Sequence, residues 1–244
     1  EKIIRRVGVV GGTHGNERLG VELIRQWSTT QSNIIKRSSF ETIPIIGNPA
    51  AVSVNRRYME ADLNRQFVLP MLHTPSTILE SVRAKELDKI LGEKGDMIDE
   101  RVDFLIDLHS TNSNVGLVIM SNNIERDCYI KRIVQSLNSK PDLFPDLKLT
   151  SIPTKKEEMY SVDSITPSGL SIEVGPLPHG TLSSQLLEST RTLVIHILDF
   201  IESQNQKLLL LAAEREGGVR RVRGRDVVDV MQTEREGEGE RERE

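Results

Sequence analysis

The heptapeptide Gly11-Gly12-Thr13-His14-Gly15-Asn16-Glu17 follows the apolar run Val7 to Val10 and sets an imidazole and a carboxylate three residues apart on a glycine-hinged turn. Glycines take backbone conformations closed to other side chains, so His14 and Glu17 can converge on one point beyond a strand end instead of following a helix face. A third ligand is expected downstream. His109, in Ile106-Asp107-Leu108-His109-Ser110-Thr111-Asn112, stands where the apolar run Val102 to Ile106 gives way to polar residues. Two imidazoles and one carboxylate suit a zinc ion acting as a Lewis acid, because they leave the fourth position to water. We therefore expect one Zn2+ per chain on His14, Glu17 and His109. Asp107, two residues before His109, either orients a ligand histidine through its outer nitrogen or pairs with a buried arginine.

A metal-activated water needs a base. Glu173, in Ser171-Ile172-Glu173-Val174-Gly175-Pro176, lies within an otherwise apolar strand just before a Gly-Pro stop. Burial raises the pKa of such a carboxylate and a nearby metal lowers it, a balance that suits a general base or acid near neutral pH. A further cluster runs from Arg56 to Phe67 (RRYMEADLNRQF), with Asn48-Pro49 upstream. Its arginines Arg56, Arg57 and Arg65, with Asn64, read as an anion-recognition loop, since guanidinium forks bind carboxylates in two-point geometry.

Elements that could position these groups are visible as β-branched runs alternating with longer amphipathic segments, the pattern of an α/β sheet flanked by helices. Strands are expected at Ile3 to Val10, Thr42 to Ile46, Val102 to Leu108, Val115 to Met120, Lys148 to Ile152 and Leu170 to Val174. Helices are expected at Leu19 to Ser28, Ser76 to Leu91, Glu125 to Leu137 and Thr181 to Ser203. The polar groups gather at the ends of the first and third strands, the edge at which open α/β sheets bind ligands.

At 244 residues the chain can bury a sizeable core, and its net charge of −4 implies no general attraction to nucleic acid or to anionic membranes. A single cysteine, Cys128, excludes an internal disulfide and a cysteine-rich metal site. No run approaches the roughly 20 apolar residues of a membrane span, and the start Glu1-Lys2-Ile3-Ile4-Arg5-Arg6 lacks the apolar core of a signal peptide. A cytoplasmic enzyme is expected, on a chain trimmed of its initiator methionine. Residues 1–206 form the expected catalytic domain. From residue 207 a leucine run passes into a segment of arginine, glutamate and glycine, which is expected to be disordered or a frayed charged helix.

GGTHGNE, NP followed by RRYMEADLNRQF, DLHSTNSN, and IEVGP with HG after it resemble, in this order, the aspartoacylase and aminoacylase III family of zinc amidohydrolases. The resemblance covers roughly residues 3 to 205. It implies a mixed twisted sheet in a zinc carboxypeptidase-like catalytic domain. It also implies hydrolysis of the amide bond of N-acyl-L-amino acids, small molecules, to a carboxylate such as acetate and a free amino acid. In the implied assignment His14, Glu17 and His109 hold zinc, Glu173 activates the water and Arg57 stabilises the oxyanion. Asn64 and Arg65 bind the α-carboxylate, and Asp62 supports Arg57 or its loop.

Two departures stand out. Aspartoacylases read the aspartate side chain with an arginine about ten positions before the catalytic glutamate; here that place is held by Asp163, which favours neutral or aromatic substrates unless Lys155 or Lys156 compensates. The family's further C-terminal domain, with its substrate-binding tyrosine, has no counterpart after Gln206. Without that wall, apolar surface is expected to be exposed, inviting aggregation or self-association into a homo-oligomer. The competing readings are a metallocarboxypeptidase, a truncated paralogue with zinc but no turnover, and a dinucleotide-binding module, whose glycine spacing is not met.

Overall fold

The computed structural model describes residues 2–94, 101–121, 127–145, 147–151 and 159–237, with backbone only at residues 128 and 215–237. Lys155 and Lys156, the expected helix start at Glu125 and the expected strand end at Ile152 lie outside the described residues. Among the described residues, those within 4–202 form one compact unit and those within 2–3 and 203–237 another.

The first unit is an α/β sandwich on a six-stranded sheet. In chain order its strands are β1 (Arg6–Gly11), β2 (Glu41–Ile46), β3 (Phe104–Ser110), β4 (Gly116–Ser121), β5 (Leu147–Ser151) and β6 (Ser168–Gly175). Their spatial order is β2-β1-β3-β6-β4-β5. Pairing is parallel throughout except between β4 and β6, so the sheet is mixed, as expected. The centre is buried on both faces: β3 is buried at every position, and β1 at every position after Arg6. That explains why both strands read as near-continuous apolar runs.

The described residues also form the α-helices α1 (Arg18–Ser28), α2 (Pro49–Ser53), α3 (Leu69–His73), α4 (Leu79–Leu91), α5 (Cys128–Asn138) and α6 (Ser184–Gly237), of which α6 belongs to this unit only as far as residue 202. One apolar cluster joins Leu23, Ile24 and Trp27 of α1, Ile130 and Ile133 of α5, and Leu193, Ile197 and Ile201 of α6 to the sheet residues Val9, Ile106 and Ile172. A second joins Ala84, Leu87 and Leu91 of α4 to Val10, Ile45 and Leu105. Alternation along the strands sends neighbouring side chains to opposite clusters. Each fully buried aliphatic side chain contributes about 1.5–3 kcal/mol, and the i, i+4 spacing of Leu193, Ile197 and Ile201 keeps the buried stripe of α6 on one side.

The expected elements are all present with shifted ends, and the shifts have local causes. β1 begins at Arg6 because the amides of Arg5 and Arg6 donate instead to the Asp103 carboxylate, at 2.7 and 3.2 Å. α5 starts after Asp127, whose side chain accepts from the amides of Tyr129 and Ile130. The short helices α2 and α3 were not expected. Asn48 caps α2 by accepting from the Ala51 amide at 3.2 Å, with Pro49 in its first turn. Residues 207–237, expected as disorder or frayed helix, are traced as the last part of α6.

Candidate active site

The turn after β1 works because two of its glycines are obligatory. Gly12 has φ +73°, and a Cβ on Gly15 would lie 2.2 Å from the carbonyl carbon of Ala51 in α2. The chain therefore folds tightly over the N-terminal end of α2, and the Gly15 amide donates to the Arg57 carbonyl at 3.1 Å. This brings the turn that carries His14 and Glu17 against the arginine loop. His14 and Glu17 emerge beside His109, one residue from the end of β3, and the two imidazole centroids are 5.0 Å apart. Potential ligand atoms of His14, Glu17 and His109, all buried, lie within 4.8 Å of one another.

Glu17 is the hub. Its Oε1 is 2.7 Å from His14 Nδ1 and its Oε2 is 2.9 Å from His109 Nδ1, while Oε2 also accepts from the Ser110 amide at 3.0 Å. The outer nitrogens are held separately: His14 Nε2 lies 3.0 Å from Asp62 Oδ1 and His109 Nε2 lies 2.6 Å from Asp107 Oδ2. Asp107 is itself fixed by the Thr13 hydroxyl, which donates to Oδ1 at 2.7 Å. Of the two readings left open for Asp107, the structure thus places it against the histidine.

An imidazole that gives its Nε2 proton to a carboxylate turns a lone pair on Nδ1 toward Glu17. Two such lone pairs facing one carboxylate repel unless protons or a cation lie between them. The donor set therefore fits a cation held by Nδ1 of both histidines and by Glu17, with Asp62 and Asp107 as outer partners. The electrostatics agree. Burial opposes charge on His109, but Asp107 and Glu17 overcome it and raise its pKa well above the ordinary value. Burial likewise opposes charge on His14, and the bonds to Asp62 and Glu17 raise its pKa. Burial alone would raise Glu17; His109 and His14 instead hold it well below the usual carboxylate range.

Glu173 pairs with His109 across the β3–β6 ladder and lines a cavity of about 200 Å³ together with His14, His109, Arg57, Asn64 and Arg65. Burial raises its pKa, partly offset by the charge of His109. Arg57 reaches Glu17 Oε1 at 3.4 Å and Asp62 Oδ2 at 3.2 Å, leaving its side chain 41% exposed toward the cavity that it lines. Arg65 stacks over the Tyr160 ring at 4.4 Å, and Asn64 spends its side-chain oxygen on the Val162 amide at 3.0 Å. Arg56, the remaining arginine of this segment, is exposed and does not line the cavity.

Sequence reasoning missed the residue that shapes this loop. Glu80, 1% exposed in the first turn of α4, accepts from the amides of Met59, Glu60 and Ala61 at 2.7, 3.1 and 3.1 Å and from the Asn48 side chain at 3.1 Å. Nothing in Thr77-Ile78-Leu79-Glu80-Ser81 separates it from a surface helix residue; only the tertiary contact does. Glu80→Gln is expected to cost about 1–3 kcal/mol, because its amide nitrogen would face backbone N–H donors. A urea midpoint equal to that of the parent would contradict this. Tyr160, Met120, Ser121, Ser161 and Ser171 complete the cavity wall and carried no sequence signal either.

The model for the succinylglutamate desuccinylase/aspartoacylase catalytic domain matches residues 3–201. The N-acyl-aromatic-L-amino acid amidohydrolase (carboxylate-forming) of Homo sapiens is 37% identical over 236 residues, covering 95% of this chain and 70% of that protein. Aspartoacylase of Rattus norvegicus is 34% identical over 209 residues, covering 84% and 65%. The crystal structure of murine aminoacylase 3 matches with a TM-score of 0.76 at 36% identity, over 84% of this chain and 67% of that one. This chain spans about two thirds of the length of these relatives. Motif order, sheet topology and these likenesses converge: the chain belongs to the succinylglutamate desuccinylase/aspartoacylase family.

Proposed function

We propose that the protein is a zinc-dependent amidohydrolase that cleaves N-acyl-L-amino acids to a carboxylate and a free amino acid. The observation that carries the reading is the convergence of both Nδ1 atoms on Glu17, with each outer nitrogen held by a separate carboxylate, in the cavity that Glu173 and Arg57 also line. His14, Glu17 and His109 would hold the zinc, which when bound supplies Lewis-acid charge and water activation near neutral pH. Glu173 takes the proton of the attacking water and returns it to the departing amine. Arg57 faces the charge that develops on the acyl oxygen; donors aimed at such charge contribute several kcal/mol in comparable sites, about 2.7–4 for one oxyanion donor. Asn64, through its amide nitrogen, and Arg65, held flat on Tyr160, bind the α-carboxylate.

Asp163 lines the same cavity, where an anionic side chain would meet an acid in place of a guanidinium. Uncharged substrates are therefore favoured over N-acyl aspartate, in keeping with the name of the human relative. The substrates in this reading are small molecules, and a cytoplasmic setting is part of the proposal. No helix among the described residues is long and apolar enough to cross a membrane.

The test couples metal analysis of the purified chain to a panel of N-acetyl-tyrosine, N-acetyl-phenylalanine, N-acetylaspartate and a blocked dipeptide. One zinc per chain and faster turnover of the aromatic substrates than of N-acetylaspartate are expected. Preference for N-acetylaspartate overturns the Asp163 argument, and preference for the dipeptide makes the protein a carboxypeptidase. Stoichiometric zinc with no turnover leaves a non-catalytic paralogue.

A further inference from the structure

Lys94 does not line the cavity, and the proposed reaction makes no use of it. Its place is set by the end of α4, where the Asp88 carboxylate, 9% exposed, accepts from the Lys94 amide at 2.9 Å. The side chain is half-buried, and each of the three hydrogens of its ammonium has an acceptor. Nζ donates to the Phe67 carbonyl, to the Met159 carbonyl and to Ser164 Oγ, each at 2.7 Å. The Ser164 hydroxyl in turn donates to the Ser161 carbonyl at 2.5 Å.

These acceptors belong to the two segments that carry the carboxylate-binding end of the cavity. One is residues 64–67; the other is residues 159–164, which hold Tyr160 and most of the 3₁₀ turn Val162–Ile165. Asn64, Arg65 and Tyr160 line the cavity, whereas Phe67 and Met159 do not. Three contacts join the segments directly: Asn64 Oδ1 accepts from the Val162 amide at 3.0 Å, the Phe67 amide donates to the Tyr160 carbonyl at 3.2 Å, and the Arg65 guanidinium lies over the Tyr160 ring. The carbonyls of Phe67 and Met159 both point at Lys94 Nζ. Two carbonyl dipoles aimed at one point repel unless a cation stands between them, and bonds from an ammonium to such oxygens are of the stronger, charge-assisted kind.

We propose that Lys94 is a positioning residue for the α-carboxylate site: by holding Phe67 and Met159 on one ammonium, it fixes Asn64 and Arg65 against Tyr160 in the geometry that receives the carboxylate. The inference rests on the amidohydrolase reading and deepens it by naming what keeps the recognition loop in shape. An alkaline signature follows. Burial lowers the Lys94 pKa to about 8, against the charges of Asp163 and Asp88, which raise it. Among the described residues, Asp163 on the 3₁₀ turn and Asp88 on α4 are the charged groups that face Lys94, while Glu93 and His73 act on Asp88. The segment ending at Phe67 contributes its carbonyl. Below that pKa the ammonium has three donors; above it the amine has two and turns a lone pair toward one of its acceptors. The clamp therefore loosens as pH rises through about 8.

The experiment measures kcat and KM of the zinc-loaded full chain for N-acetyl-phenylalanine, which has no group titrating near this pH. Calorimetry measures binding of the same compound in the Glu173→Gln background, where turnover is slowed. Lys94→Met keeps the stem and removes the ammonium. KM and Kd are expected to rise about tenfold in this variant while kcat stays within about twofold, the pattern of a loss confined to substrate binding. A merely destabilising change would instead lower the active fraction, and with it the apparent kcat, at unchanged KM. In the parent, KM is expected to rise as pH passes about 8 while kcat holds. In Lys94→Arg, whose guanidinium stays charged, that rise is expected to vanish. The parent's pH profile carries the test should the methionine variant not fold. An unchanged KM in Lys94→Met, a flat KM in the parent, or a rise that persists in Lys94→Arg overturns the proposal. If nothing is turned over, the amidohydrolase reading fails on its own, and calorimetry still decides: weaker binding in Lys94→Met and at alkaline pH supports the role of Lys94, whereas equal or absent binding overturns it.

Discussion

Glu173→Gln is expected to lower kcat by about 10²–10⁴-fold, the range general-base catalysis typically contributes, while leaving the metal content of the protein unchanged. The substitution keeps the size of the side chain and its place opposite His109 in the ladder, so packing on β6 is preserved. What it removes is the lone pair that accepts a proton. Metal content is expected to hold because the group that could hold a metal comprises His14, Glu17 and His109, without Glu173. Metal analysis beside kinetics separates the two roles: loss of zinc in the variant would show that Glu173 is a ligand and would remove it as the base. The pH profile gives a second handle. The base must be ionised to act, so kcat/KM of the parent is expected to rise with pH through a limb set by the burial that raises the Glu173 pKa and the metal charge that lowers it. That limb is expected to vanish in the variant; one that persists unchanged would mean that another group controls the rate.

How far the site could be read from the sequence depended on distance along the chain. His14 and Glu17 share one turn, and His109 ends an apolar run, so residue type and position announce all three; the ladder then sets Glu173 beside His109. The partners that tune them come from elsewhere. Asp62 reaches His14 across 48 residues, and Thr13 reaches Asp107 across 94. Such pairings leave no period or local motif, and Asp107 could be read equally as a partner for arginine until the fold set it against His109. Glu80 is the clearest case, since its role is defined by three backbone amides, and backbone amides look alike in any sequence. The strands were legible because burial on both faces demands apolar runs. Their ends were less so, because side chains such as Asp103 and Asp127 claim backbone donors at the boundaries.

Removing the metal with a chelator is expected to abolish turnover and to lower the thermal midpoint, both recovering with one equivalent of zinc. Glu17 is 3% exposed and His14 and His109 are 4% and 5% exposed, so the three proposed ligands are buried together with Asp107. Without a cation this cluster depends on protons taken up by the imidazoles, which explains why their pKa values are raised while that of Glu17 is lowered. A divalent ion replaces those protons, so binding should release them, and zinc affinity should weaken as pH falls. At a zinc concentration 100-fold above Kd, binding stabilises the folded state by about 2.7 kcal/mol. For a domain of this size that corresponds to roughly 5–10 °C in Tm. Raised histidine pKa values in the metal-free fold also carry a sign. Their stabilisation is present at low pH and is lost as pH rises through the folded-state values, so the gap in Tm between zinc-loaded and metal-free protein should widen toward alkaline pH. A gap that narrows instead, or turnover that persists in protein shown to be metal-free, would mean that His14, Glu17 and His109 form a buried ion-pair cluster and not a metal centre.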